Sequence, residues 1–202
     1  MSPLTAGAVA FLVDYIQGKV ADDILRRLMH GRHEAARDVL AAKMAKGRPW
    51  LASEDDTAAA LFTFVRAAQE GAARLNLRLM AEAMTNAAQE PTFAPDVFRY
   101  HAAMLASLSR DEVRLLAAFV RENKAVAAEP DDPTDAFKRI SLVWARLVSD
   151  QNSELEVTAL AGALTRTGWI VAYSGFGGLV YATSKAFEDV VRLVDFEAEL
   201  MS

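Results

Sequence analysis

Apolar residues recur every fourth position from Ala8 through Leu12, Ile16, Val20 and Ile24 to Leu28. Phe11, Tyr15, Leu25 and Met29 widen the stripe, while Asp14, Gln17, Asp22, Asp23, Arg26 and Arg27 lie largely off it. That spacing predicts an amphipathic helix with a moderately broad apolar face. Ser2 and Pro3 supply its start, a cap followed by a residue whose missing N–H costs nothing at the first helical position. Gly18 is a weak point within it, and Gly31 sits where a helix could end. A second helix is expected from about His33 to Lys46, stopped by Gly47 and Pro49. Ser53, with Asp56 three residues on, opens a third. Leu61, Val65, Ala68, Ala72, Leu75 and Leu79 mark its buried side, and the periodicity carries it on to about Ala88.

Pro91 and Pro95 punctuate the middle, and a short helix is expected over Asp96–Ala106. Ser109 and Glu112 form a capping box ahead of Val113, Leu116, Phe119 and Val120. Residues 125–133 (AVAAEPDDP) read as a linker. Thr134 is the expected cap of the next helix, with Phe137, Ile140, Val143, Trp144 and Leu147 inside. Ser153 and Glu156 open another, which carries Leu155, Val157, Leu160 and Leu164 and stops at Gly168. There the period changes from helical to extended. Trp169–Tyr173 and Leu179–Ala182 read as two strands around a turn with three glycines, Ser174–Gly178, so a β-hairpin is expected. A lone hairpin is marginal, so it must lean on helices. Thr183 or Ser184 then caps a last helix with Phe187, Val190, Val191, Val194 and Phe196. The fold class is mainly α with one hairpin. The expected domains are a helical region, 1–94, and a second region, 95–202.

Three helices, a hairpin and a closing helix over residues 107–198 resemble a winged-helix module. The residues that carry the likeness are Leu108–Glu112, Leu160–Ile170 joining helix to wing, and the return strand through Tyr181-Ala-Thr183 into the last helix. A helical N-terminal half followed by this C-terminal half is also similar to the Abi-alpha family, a bacterial group linked by name to abortive phage infection. The usual Thr-x-x-Gly at the start of the last helix stands here as Thr183-x-x-Ala186. The resemblance implies an all-α protein related to phage defence and carries over no catalytic residue.

Composition narrows the function classes. The chain has 202 residues, 52% hydrophobic and 24% charged, close to globular averages, which excludes disorder or a collagen-like chain. The absence of cysteine excludes disulfides, thiolate nucleophiles and Cys-ligated zinc or iron–sulfur sites. The start lacks a basic leader region, and the apolar run Leu4–Leu12 is far shorter than the ~20 residues of a membrane span. A cytoplasmic location without a transmembrane segment is expected. The net charge of −5 lies wholly in the C-terminal half: residues 1–102 hold 12 basic and 12 acidic groups, and residues 103–202 hold 10 and 15.

A DNA-reading helix needs Arg, Lys, Asn or Gln toward base edges and more cations for phosphates. The helix over Glu154–Thr167 offers Glu154 and Glu156 in its first turn and Arg166 as its lone cation, and the wing Ser174–Leu179 is uncharged. Anions near phosphate weaken binding. A basic stretch lies elsewhere, at Arg26, Arg27, His30, Arg32, His33, Arg37, Lys43, Lys46 and Arg48, diluted by Glu34 and Asp38. It reads either as a solvated face or as a nucleic-acid patch, according to whether its cations converge. His30, His33 and Glu34 share one face of a continuous helix, the spacing of a weak zinc or iron site, and want a fourth ligand. Triads of the serine or cysteine type fail on supply. Gly175-Phe-Gly-Gly178 lacks the Lys and following helix of a phosphate loop. Phe176 at the wing tip is either tucked on the core or a partner contact.

These readings lead to a non-enzymatic protein with no cofactor. It works through contacts with a protein partner or with itself, a dimer being the expected oligomer. Phe176, Arg26, Arg27, Arg32 and Arg37 are the candidate contact residues. The alternative is a DNA-binding regulator that uses the basic 26–48 stretch.

Overall fold

The computed structural model describes residues 23–44, 53–89, 95–129, 135–150, 153–175 and 178–201, with backbone alone for 23–30 and for His33, Glu54, Pro95 and Gly175. The chain forms two compact units, Met1–Ser107 and Leu108–Ser202. The division falls later than the expected 94/95 boundary, because the helix after Pro95 packs on the helices before it.

In the first unit the described helices are α1 (Asp23–Met44), α2 (Glu54–Glu70), α3 (Arg74–Ala87) and α4 (Pro95–Ser107). Helix α1 runs unbroken through Gly31, so the expected boundary between a first helix and one beginning at His33 is absent. A Cβ at Gly31 would meet nothing within 4 Å; the residue faces open space and only lowers helix propensity. The single long helix expected from Ser53 to Ala88 is two. Gly71, at φ 93°, ends α2 in a left-handed turn. Its N–H bonds Ala68 O at 3.2 Å, and Ala72 N–H bonds Ala67 O at 3.0 Å, which satisfies carbonyls that the helix end would orphan. The chain turns there so that α3 lies against α1, α2 and α4. Nine of the fourteen residues of α3 are buried, which makes it the centre of the unit. Phe64 and Val65 of α2, Val39 and Leu40 of α1, and Phe98 and Leu105 of α4 close around it. Its buried polar groups are satisfied: Asn76 Nδ2 donates to Ala106 O at 2.9 Å, and Thr85 Oγ1 donates to Ala81 O at 2.9 Å.

The second unit holds α5 (Arg110–Ala127), α6 (Ala136–Asp150), α7 (Glu154–Leu164), a 3-10 turn (Thr165–Thr167), β1 (Ile170–Gly175), β2 (Gly178–Thr183), α8 (Lys185–Val191) and α9 (Phe196–Met201). Helix α5 starts at the expected capping box. Ser109 Oγ accepts Glu112 N–H at 3.2 Å, and Glu112 Oε2 accepts Ser109 N–H at 2.7 Å. It runs on to Ala127, into the expected linker. Thr134 lies outside the described residues; the cap of α6 is Asp135, whose carboxylate accepts Phe137 N–H at 2.9 Å. The strands pair antiparallel from Ile170↔Thr183 to Gly175↔Gly178; the first starts one residue later and ends two later than expected, and the second is one residue longer at each end. The expected last helix is broken in two, and Asp195 caps the second piece by accepting Ala198 N–H at 3.0 Å. That break lets α9 pack on α5.

The hairpin leans on the helices through aromatic rings. Trp144 of α6 lies between Phe119 and Tyr181, with centroids at 6.4 and 5.0 Å, and Trp169 meets Phe187 at 6.1 Å. Such contacts contribute about 0.5–1.5 kcal/mol each beyond their area burial. The helix-to-strand joint is tightly bonded. Gly168 sits at φ 69°. Thr167 Oγ1 donates to Leu164 O at 2.6 Å, and Ser184 Oγ donates to Gly168 O at 2.6 Å while capping α8. No helix among the described residues is long and apolar enough to cross a membrane.

Candidate interaction surface

Helix α7 starts at Ser153, whose hydroxyl accepts Glu156 N–H at 3.3 Å. Val157, Ala161 and Leu164 face the core of the unit. Leu155, one of the apolar residues expected on this helix, is 80% exposed. Its line on the helix is Leu155, Ala159 and Ala163, at i, i+4 and i+8, the opposite side from Val157, Ala161 and Leu164. All three are exposed. Phe137, expected inside, is 46% exposed on the first turn of α6.

Arg166, the lone cation of the α7 region, is engaged internally. Its Nη2 donates to Glu112 Oε2 at 3.1 Å, its Nη1 donates to Glu112 Oε1, and Nη1 also donates to Ala163 O at 2.8 Å. This is a two-pronged pair of the stronger, charge-assisted kind. The Glu112 side chain is 8% exposed. Burial alone would push its carboxyl up; the Arg166 hydrogen bonds and the Ser109 N–H outweigh that and hold it below the usual carboxylate range. Glu112 therefore does two jobs, closing the start of α5 and fixing the end of α7. The sequence shows the first through the Ser109 spacing. The second joins residues 54 apart, and nothing local signals it.

The hairpin carries no charge from Trp169 to Thr183. Tyr173 is 42% and Leu179 47% exposed. Phe176 lies outside the described residues. Helix α7 approaches the sheet closely, since a Cβ at Gly162 would stand 3.3 Å from the Tyr181 hydroxyl.

Of the basic stretch, the side chains of Arg32, Arg37 and Lys43 are described, each with its own contact. Arg32 reaches the end of α2, where a Cβ on Gly71 would meet its Nη1 at 3.3 Å. Arg37 pairs with its neighbour Asp38 at 3.5 Å, and Lys43 pairs with Glu82 of α3 at 3.4 Å. Arg26 and Arg27 belong to α1, their side chains outside the description, as are those of His30 and His33, while Glu34 is exposed. Among the described residues no group of three His, Asp or Glu is arranged to hold a metal ion. The remaining histidine, His101, is buried on α4 with its ring edge-on to Tyr100 at 5.3 Å. Comparison with family models, with characterised proteins and with solved structures finds no match to this chain.

Proposed function

We propose that this chain is a non-enzymatic interaction or regulatory protein. Its C-terminal unit serves as a winged-helix-like module turned to protein contacts. The likeness to the Abi-alpha family supplies the setting, phage defence in a bacterial cytoplasm. The observation that carries the reading is the Glu112–Arg166 pair. A helix that reads DNA presents cations to phosphates and hydrogen-bonding groups to base edges. Here the lone cation is already bonded on two nitrogens to a buried carboxylate. What α7 and the hairpin offer instead is Leu155, Tyr173 and Leu179 with no charge on the hairpin. Apolar groups exposed on one module mark protein contacts when they are contiguous.

The test is fluorescence anisotropy of a labelled duplex of roughly 30 base pairs, titrated with the full chain at about 50 mM and then about 200 mM salt. The expected result is no salt-dependent binding at either. Binding that weakens steeply with salt would overturn the proposal in favour of a regulator. Arg26, Arg27 and Arg37 on α1 would then be the residues to reverse in charge.

A further inference from the structure

From the outer face of α7 we infer that the C-terminal unit docks a short amphipathic helix of basic character, with its leucine- and alanine-lined side against Leu155, Ala159 and Ala163. This rests on the protein-contact reading and names its surface and partner class. The second half of helix α7 is apolar all round: after Thr158 its sequence is ALAGAL. A helix of that kind is ordinarily covered on every side. Yet Leu155, Ala159 and Ala163 are exposed. The small side chains at 159 and 163 let another backbone approach closely, and Leu155 supplies a large apolar contact.

The hairpin meets α7 at Gly162, next to Ala163 on the helix. The Gly162 side of α7 touches the Tyr181 hydroxyl. Leu179 is two residues from Tyr181 in β2 and therefore on the same side of the sheet. Leu179 is thus exposed on the side of the sheet that meets Gly162, and the hairpin brings no charge there.

Charge selects the occupant. Among the described residues of this unit, Asp111, Glu122, Glu129, Asp150, Glu188 and Asp189 each pair with an arginine or lysine. Asp135, Asp195 and Glu197 are exposed without an ion pair among the described residues, and so are Glu154 and Glu156, the two that stand on either side of Leu155. The helix dipole favours acids at this end, but it gives no reason for an exposed leucine between them. An apolar line with an uncompensated acidic end fits a partner that carries lysine or arginine where it meets Glu154 and Glu156. An acidic segment is repelled there.

The experiment is a two-dimensional amide NMR titration of the full chain with a synthetic Leu/Ala/Lys amphipathic helix, its Leu/Ala/Glu counterpart of equal length, and a DNA duplex. The expected result is a shift of the amides of Leu155, Ala159 and Leu179 with the lysine peptide only. Leu155→Asp, a substitution in solvent that leaves the core intact, weakens that binding about tenfold or more, the effect of losing most of one buried leucine. Glu154→Lys with Glu156→Lys reverses the preference between peptides. Equal response to both peptides, or shifts confined to other residues, overturns the inference and leaves the protein-contact reading standing. Shifts at the same amides that follow protein concentration without peptide overturn it as well, because a second copy then covers the face. Shifts of the α7 amides with the duplex overturn both.

Discussion

Helices α3 and α7 invert the relation between composition and burial. Helix α3 carries Arg74, Asn76, Arg78, Glu82 and Asn86, yet nine of its fourteen residues are buried. Helix α7 has no polar residue between Thr158 and its end, yet one whole line of it faces solvent. The first is enclosed by three neighbours, so its polar groups must be bonded within the unit, as Asn76 is to Ala106 O and Glu82 to Lys43. The second also meets three elements, α5, α6 and β1, but buries only Val157, Ala161 and Leu164 among its apolar residues and leaves Leu155, Ala159 and Ala163 in water. Burial is decided by how far the neighbouring elements wrap around a helix, not by its composition.

The sharpest break of that contrast is a cavity at the centre of α3. Met84 and Leu79 are fully buried, so Met84→Ala or Leu79→Ala is expected to destabilise the first unit by about 2–5 kcal/mol. Denaturant unfolding measures it. A loss below about 1 kcal/mol would mean that α3 is not the centre.

The Glu112–Arg166 pair fixes the end of α7, and Glu112→Gln tests it. Removing one partner of a fully buried pair costs about 3–5 kcal/mol. The Arg166 side chain is 43% exposed, so solvent screens its half and about 2 kcal/mol is expected here. The pH dependence follows from the lowered carboxyl. Stability from this group is fully present above its unfolded value, ~4.3 for a glutamate, and is lost as pH falls through the lower folded value. The variant should lose that part of the acid-side decline. Identical acid unfolding curves for the two proteins would show that the pair contributes nothing.

Much of the architecture is legible because caps are local. Ser53, Ser109, Ser153 and Ser184 each sit three residues before the N–H they accept, and each begins a helix. The change of period at Gly168 places the hairpin. Glycine inside an apolar pattern is not legible in the same way. Gly31 and Gly71 both interrupt helical periodicity, but α1 passes through the first and α2 ends at the second. The difference lies in tertiary packing, since α3 can reach its neighbours only if the chain turns at Gly71. The candidate surface is half legible. The uncharged wing and the lone Arg166 are plain in the sequence. The clamp from Glu112 and the outward side of Leu155 depend on where α5 lies, which no local spacing records.

The two glycines separate in a smaller measurement. Gly71→Ala places a Cβ on a backbone at φ 93°, at a cost of about 1–2 kcal/mol. The Arg32 guanidinium it would meet at 3.3 Å is the end of a flexible side chain and can move aside. Gly31→Ala meets nothing and should stabilise α1 by up to about 1 kcal/mol through helix propensity. Equal effects of the two would mean that α2 and α3 are one helix in solution.

The smallest expected change bears most directly on the comparison between α3 and α7. Leu155→Gln exchanges one exposed side chain for another of similar length and similar helix propensity. If the face of α7 is open in the isolated chain, unfolding stability should stay within about 0.5 kcal/mol of the parent. A loss approaching the ~2 kcal/mol of a buried leucine would mean that something in the chain already covers Leu155. Helix α7 would then be an enclosed helix like α3, and its apolar composition would need no partner to account for it. Near-neutral stability combined with weakened peptide binding is the outcome that separates a docking face from a core face.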